Sequence, residues 1–232
     1  MVTKKETETK DLIANLTDDM SEVQVLPSPL KRTLVWGSVS IILTLVVTLY
    51  LKHIYKGLSI PDMPLFGFHS GNDHQPLSIL ECCSFTLVGF LCLFACFRLS
   101  IPDIKYGKTP FILLGGSTLF LLLATIAAYT MSDASTIHDQ LQHSDSYLCI
   151  EGLGVVIALP ALILYALLKK TAPTLPAWVG YAALLSVVSF GTLALRYLCS
   201  DETYAHLLLH HFAPALIVSF FGLLIGKLFL RW

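Results

Sequence analysis

Residues 146–207 decide the fold, and they read SYLCIEGLGVVIALPALILYALLKKTAPTLPAWVGYAALLSVVSFGTLALRYLCSDETYAHL. Two apolar runs in this stretch flank a polar turn that contains Lys169 and Lys170. A helix needs about 20 residues to cross a hydrocarbon core of roughly 30 Å, and each run has about that length. Cys149 opens the first run and Cys199 follows the second. Because two antiparallel spans return the chain to the side it left, the sequence predicts that both thiols lie at one membrane surface.

The composition is that of an integral membrane protein. Hydrophobic residues make up 55% of the chain, charged residues make up only 13%, and the mean hydropathy is +0.71. Soluble domains carry about twice that share of charged residues. The net charge of -1 and the lack of a basic stripe give no indication of direct nucleic-acid binding. The first 32 residues lack the apolar stretch and cleavage site of a signal peptide, so we expect this tail to stay on the mature protein.

Six apolar runs are long enough to span a membrane, and they cover residues 33–51, 78–97, 109–130, 147–168, 177–198 and 208–230. Each run is expected to be a helix, because in lipid the backbone must satisfy its own hydrogen bonds. The sequence therefore predicts an all-α, polytopic membrane protein. Residues 1–32 would form a tail, and residues 33–232 would form a six-helix transmembrane sensor domain.

The distribution of basic residues predicts the orientation. The termini and the loops 98–108 and 169–176 hold twelve of the fifteen Lys and Arg residues, and the opposite set of segments holds only Lys52, Lys56 and Arg196. Basic residues concentrate on the cytoplasmic side of membrane proteins. We therefore expect both termini in the cytoplasm, and Cys149 and Cys199 facing a bacterial periplasm, where disulfides can form.

The tail carries a short amphipathic pattern between about residues 8 and 26. Apolar residues recur at helical spacing and acidic residues occupy the rest of the helical wheel. Helices that lie in anionic headgroups usually have basic polar faces, so the acidic face favours docking into a partner protein over lipid binding. A partly ordered tail without a partner is the alternative. The predicted contact residues are Leu12, Ile13, Leu16, Asp18, Asp19, Met20 and Glu22.

Ionisable residues inside the predicted spans are functional candidates, because burying a charge in a membrane is costly. Glu81, Glu151 and Arg196 lie near the outer ends of the second, fourth and fifth spans, and His210 and His211 lie near the outer end of the sixth. At a similar depth they would line one polar pocket. The alternative is that Arg196 pairs with one of the two glutamates and holds the bundle together.

Cys149 and Cys199 adjoin this predicted pocket. End-on contact between their thiols is feasible at the mouths of neighbouring helices, and thiolates also bind soft or borderline metals with help from imidazole and carboxylate groups. The candidate accessory ligands are His143, Asp201, Glu202, His206 and His210. The chain has no CxxC motif and no recurring HxxxH, so spacing alone does not decide between a metal site and a redox pair.

Catalytic motifs are missing from the sequence. It contains no P-loop, no GxSxG and no HExxH, and its loops are too short for a soluble catalytic domain. We therefore expect no enzyme and no obligatory cofactor. Two other classes stay open: a membrane thiol oxidoreductase that passes electrons to quinone, and a small transporter with Glu81, Glu151 and Arg196 on the ion path.

The chain also resembles the NrsF-like anti-sigma factors along nearly its whole length. The residues that carry the resemblance are Asp11-Leu12-Ile13 through Leu16, Val23 to Pro29, Lys31-Arg32, Arg98-Leu99-Ser100-Ile101-Pro102, Cys149, Cys199-Ser200-Asp201-Glu202, Gly222 to Gly226 and Arg231-Trp232. No single motif among them is specific, but their order is.

This resemblance implies a function. Members of the family are expected to be six-helix inner-membrane proteins that hold an extracytoplasmic-function sigma factor inactive and release it on a periplasmic heavy-metal or redox signal. The family's paired cysteines correspond to Cys149 and Cys199 here. A thiophilic metal ion would then be an inducer, and the tail would be the sigma-binding segment.

Overall fold

The computed structural model describes residues 14, 27–54, 75–101, 107–142, 147–171, 173–196, 199, 201 and 203–230. Within these ranges the chain forms helices joined by turns, and none of the described residues is in a strand. The helices with described bounds are α1 (Pro29–Ile54), α2 (Gln75–Leu99), α3 (Thr109–Thr130), α4 (Ala134–Gln142), α5 (Tyr147–Leu168), α6 (Pro176–Leu195) and α7 (Tyr204–Phe229). The fold is all-α, as predicted.

Six of the described helices are long and apolar enough to cross a membrane: α1, α2, α3, α5, α6 and α7. They match the six predicted runs, which confirms a multi-pass membrane protein. Large apolar side chains are exposed along their outer faces, including Leu45 on α1, Phe120 on α3 and Phe221 on α7. A surface of this kind suits contact with lipid. The orientation of the bundle across the membrane stays a prediction.

Several boundaries differ from the predicted runs, and two of these differences lie on either side of the connection between α6 and α7. Helix α6 ends at Leu195 rather than at residue 198, and α7 begins at Tyr204 rather than at residue 208. The second difference arises because Thr203 has an extended backbone and its hydroxyl accepts a hydrogen bond from the backbone N–H of His206, which is the geometry of a helix N-cap. The short helix α4, with exposed residues on most of its surface, lies in a segment that we expected to be a loop.

Successive spans run in opposite directions. Arg32, in the first turn of α1, stacks 4.4 Å above the ring of Phe97 in the last turn of α2. Glu81, in the second turn of α2, pairs with Arg196, which follows α6. We call these two ends of the bundle the tail end, marked by Arg32 and Phe97, and the site end, marked by Glu81 and Arg196.

Helix α6 forms the centre of the bundle. In its most apolar window 78% of the residues are buried, compared with 22% in α1, α3 and α5. Its contact with α7 depends on glycine, because Gly180 on α6 faces Gly222 and Gly226 on α7 with the two backbones touching. Small residues spaced by four let membrane helices approach closely and gain dispersion energy that bulkier side chains would prevent.

The tail lies almost entirely outside the described residues, and so do the predicted contact residues Leu12 to Glu22. At its end, the Ser28 hydroxyl accepts a hydrogen bond from the backbone N–H of Lys31, and Pro29 occupies the first helical position. The first span therefore begins four residues before residue 33, and Lys31 and Arg32 belong to α1.

The glycine contact predicts a clear stability effect for Gly222→Ala. A Cβ at position 222 would lie 2.5 Å from the carbonyl oxygen of Gly180, and backbone atoms cannot move aside as a flexible side chain can. We expect the variant to lose about 1–3 kcal/mol of stability, which corresponds to a fall of roughly 2–12 °C in the apparent unfolding temperature in detergent. Gly115→Ala is the control, since a Cβ there meets nothing within 4 Å. Equal unfolding temperatures for the two variants would contradict this packing.

Candidate functional site

The two cysteines meet at the site end of the bundle. Cys149 lies in the first turn of α5, and Cys199 lies in the connection between α6 and α7. Both sulfur atoms contact Nε2 of His206, at 3.6 Å from Cys149 and 3.0 Å from Cys199. Cys199 is buried and Cys149 is half-buried, and neither is in a disulfide. The hairpin of α5 and α6 thus brings two thiols that are distant in sequence onto one imidazole, an arrangement that the predicted topology allows but does not require.

A π-helical turn in α7 aligns the histidines. Residues Leu207–Phe212 have π geometry, with hydrogen bonds from residue i to i+5. In a regular α-helix His206 and His211 would point about 140° apart around the axis. In the π turn residues five apart become neighbours, and the two rings lie 5.5 Å apart, centroid to centroid. Turns of this type frequently occur at functional sites, and here the turn brings His211 to the thiols.

His206 is held from its other side. Its Nδ1 lies 3.2 Å from Oε1 of Gln140 and 3.5 Å from Oδ2 of Asp201. The Gln140 amide in turn donates a hydrogen bond of 2.7 Å to Asp201. Helix α4 therefore contributes to the site through Gln140, which together with Asp201 fixes the orientation of the His206 ring.

The His211 ring is fixed by a buried carboxylate. Its Nδ1 makes a short contact with Oε1 of Glu81, and Oε2 of Glu81 lies 3.5 Å from Nε of Arg196. Arg196 also donates hydrogen bonds to the backbone carbonyls of Cys199 and Asp201. Glu81, Arg196 and His211 are all buried. One network therefore links α2, the end of α6, the cysteine connection and α7.

Two groups in this connection titrate away from their usual range. The hydrogen bond with Cys149 and burial both raise the pKa of the Cys199 thiol, against the opposing effect of the His206 and His211 imidazoles. Burial acts to raise the pKa of Asp201, but the hydrogen bonds from Thr203 and Gln140 and the nearby His206 imidazole together lower it. At neutral pH Cys199 is therefore a thiol and Asp201 a carboxylate.

The structure separates the remaining predicted residues. Glu81 and Arg196 come together, whereas Glu151 is exposed on α5, outside this pair. His210 is buried against His206, with ring centroids 4.5 Å apart, and neither of its nitrogens has a hydrogen-bond partner among the described residues. His143 and Glu202 lie outside the described residues.

Sequence reasoning missed two contributors. His211 was expected in the polar pocket but was not counted among the ligands, and Gln140 was assigned no role. The adjacent pair His210 and His211, placed four and five residues after His206, was the available signal, because a π turn is needed to bring the second of them to the thiols.

Four of these side chains could hold a metal ion. Cys149, Cys199, His206 and His211 each offer one ligand atom, and the four atoms all lie within 4.8 Å of one another. The same two thiols are also close enough for oxidation chemistry once their protons are lost.

The fold and the site define a six-span membrane protein with a buried cluster of thiols and imidazoles at one end of its bundle. A family model described as "Negative regulator of sigma F", NrsF, matches residues 16–232. The chain belongs to the NrsF family, and its role is negative regulation of a sigma factor. This match confirms the resemblance found in the sequence. No curated protein and no solved structure matches the chain.

The buried network predicts a strong effect for Glu81→Ala. The change leaves the Arg196 guanidinium without its carboxylate and removes the partner of His211 Nδ1. Removing one member of a buried ion pair typically costs about 3–5 kcal/mol. We therefore expect a large drop in unfolding temperature in detergent. Glu151→Ala is the matched control, since its exposed carboxylate should contribute almost nothing. Similar stabilities of the two variants would show that the network does not hold the site end together.

Proposed function

We propose that this protein is an anti-sigma factor of a bacterial inner membrane. It sequesters an extracytoplasmic-function sigma factor through its N-terminal tail and releases it when Cys149 and Cys199 receive a periplasmic heavy-metal or redox signal. The observation that carries the proposal is the meeting of both thiols on His206 Nε2 at one end of the bundle. Membership of the NrsF family implies that the partner is a sigma factor.

The proposed orientation puts the two activities on opposite sides of the membrane. Twelve of the fifteen basic residues lie in the termini and in the loops 98–108 and 169–176 of the sequence, which the positive-inside rule assigns to the cytoplasm. The site end then faces the periplasm, where metals and oxidants arrive first and where thiols can be oxidised. The tail then meets the sigma factor in the cytoplasm.

Sequestration is competition for one surface of the sigma factor. The apolar side of the tail helix, with Leu12, Ile13, Leu16 and Met20, occupies a groove in the sigma factor. The acidic side, with Asp18, Asp19 and Glu22, meets basic surface that otherwise contacts promoter phosphates. A bound sigma factor therefore cannot engage DNA.

The signal changes how α5 and α6 pack against α7. A thiophilic cation displaces the thiol protons and binds both sulfurs. Alternatively an oxidant takes up two electrons and two protons as the two thiols become a disulfide. To shift the population of the bundle from 1:99 to 99:1 in favour of the releasing conformation, the signal must bind that conformation more tightly by about 5.5 kcal/mol. Two metal–thiolate bonds can supply that amount.

Helix α2 offers the route from the site to the tail. Near one end Glu81 contacts His211 and Arg196, and near the other end Phe97 lies under the guanidinium of Arg32. Arg32 follows the end of the tail by only a few residues. Because a helix transmits displacement as a rigid element, a shift of Glu81 moves the surface on which Arg32 rests.

Loss of the tail should abolish partner binding. We expect the full chain, solubilised from its native host, to bring down a sigma factor, and a version without residues 1–28 to bring down none, as read by mass spectrometry. Leu16→Asp should weaken capture because it buries a charge in the predicted apolar contact, whereas Thr7→Asp, outside the predicted helix, should leave capture intact. Equal recovery of the sigma factor with and without the tail would refute this binding mode.

Loss of either thiol should block induction and spare repression. Cys149→Ser and Cys199→Ser remove a metal ligand or a redox partner but leave the tail unchanged. In a reporter driven by the sigma factor, we expect basal expression as in the wild type and no rise on exposure to cadmium or to an oxidant. Cys83→Ser, at an exposed thiol on α2, is the control and should respond normally. High basal expression in both thiol variants would argue for a structural role instead of a sensory one.

A further inference from the structure

Two histidines complete the cysteine pair into a four-ligand site. We propose that Cys149, Cys199, His206 and His211 together bind one divalent cation of the Zn²⁺ and Cd²⁺ class. This inference rests on the proposed function, in which the cysteine pair receives the signal, and it specifies the ligand set and the chemical class of the inducer. The four ligand atoms lie within 4.8 Å of one another.

The buried ring of His211 is the strongest indication that this cluster binds a metal ion. The residue is completely buried, its Nδ1 contacts Glu81, and its Nε2 has no hydrogen-bond partner among the described residues. Buried polar nitrogens are nearly always satisfied in folded proteins. The Nδ1 contact also fixes the tautomer, because a proton on Nδ1 leaves the Nε2 lone pair free for a metal.

Both imidazoles have the outer-shell support that metal ligands have. A histidine that binds a metal usually donates the N–H of its second ring nitrogen to a carboxylate or another oxygen acceptor. This hydrogen bond orients the ring and raises its basicity. Glu81 fills this role for His211. Gln140 and Asp201 fill it for His206, whose Nε2 already contacts both sulfurs. Neither ring needs to turn over to bind a cation.

The donor set selects the metal. Two sulfurs and two imidazole nitrogens suit tetrahedral Zn²⁺ and Cd²⁺, whereas Mg²⁺ and Ca²⁺ require oxygen ligands. Binding releases the two thiol protons, and the two thiolates cancel the charge of the dication. The complex with two neutral imidazoles is therefore uncharged, which matters where three of the four ligands are buried.

The site is nearly preformed for such an ion. With metal–sulfur bonds near 2.3 Å and metal–nitrogen bonds of 2.0–2.1 Å, tetrahedral ligand atoms lie roughly 3.3–3.8 Å apart. The largest separation here is at most 4.8 Å. Binding then draws the most widely separated ligand atoms together by up to about 1 Å, while the Cys149 sulfur already lies 3.6 Å from Nε2 of His206.

The test is direct metal binding by the full chain purified in detergent. Reduced protein is titrated with Zn²⁺, and with Co²⁺ as a spectroscopic substitute. We expect one ion per chain, proton release, and the visible bands of tetrahedral Co²⁺ with sulfur charge transfer. His206→Ala and His211→Ala should each weaken binding by more than the roughly 10–100-fold that loss of an outer-shell partner costs. His53→Ala, an exposed histidine at the end of α1, and Cys83→Ser should change nothing.

A rescue variant separates ligand loss from misfolding. His206→Cys replaces an imidazole ligand with a thiolate ligand, so we expect it to bind one Co²⁺ with stronger sulfur charge transfer than the wild type. Unchanged affinity in both histidine variants would reduce the site to the two thiols and overturn the proposed ligand set. An absence of binding to reduced wild-type protein at micromolar metal would overturn the site itself.

The same titration on the complex with the sigma factor distinguishes the two proposals. If Zn²⁺ or Cd²⁺ binds with the expected histidine dependence but no inducer releases the sigma factor, the metal site stands and the proposed function fails. If an oxidant releases the sigma factor and neither cation binds, the proposed function stands and the metal site fails. Release by the cation in the wild type, lost in His211→Ala, supports both.

Discussion

The site end depends on the Glu81 carboxylate. Its two oxygens face His211 and Arg196, so one group on α2 holds both α7 and the connection that carries Cys199. A carboxylate in this position is costly to bury and is tolerated because both neighbours are nitrogen donors. Without it, the His211 ring would lose its orientation. The geometry of the thiol and imidazole cluster is therefore set from a helix that contributes no candidate ligand.

Helices α6 and α7 are held together by different interactions at their two ends. Toward the tail end, Gly180, Gly222 and Gly226 allow backbone contact, and the contact is specific because no side chain can be added there. At the site end, polar groups bridge the helices and the π turn distorts α7. The contact between α6 and α7 is therefore apolar and closely packed toward the tail end, and polar with a local π turn at the site end.

Several features of the site followed from sequence. The six spans and the all-α class came from run length, and the location of Cys149 and Cys199 at one end of the bundle came from the even number of crossings between them. Contact between the two thiols was only feasible from the sequence. The pairing of Arg196 with Glu81 was one of two alternatives. The exposure of Glu151 was not predictable, because the rotation of a span about its axis is set by packing and this span is apolar on all sides. The contribution of Gln140 was not predictable, because it lies on α4, in a segment expected to be a loop.

The sequence by itself determined that this is a membrane protein, that it has six spans and that the two cysteines lie on the same side of the bundle. Each of these conclusions follows from the number and length of the hydrophobic runs. The order of motifs in the sequence also pointed to the NrsF family. Only the tertiary structure decided which side chains surround the thiols. Thr203 starts α7 early, and the π turn then rotates His211 onto the face of His206. The first effect is a hydrogen bond at the start of α7 and the second is a change in hydrogen bonding within α7, and neither leaves a periodic pattern in the sequence.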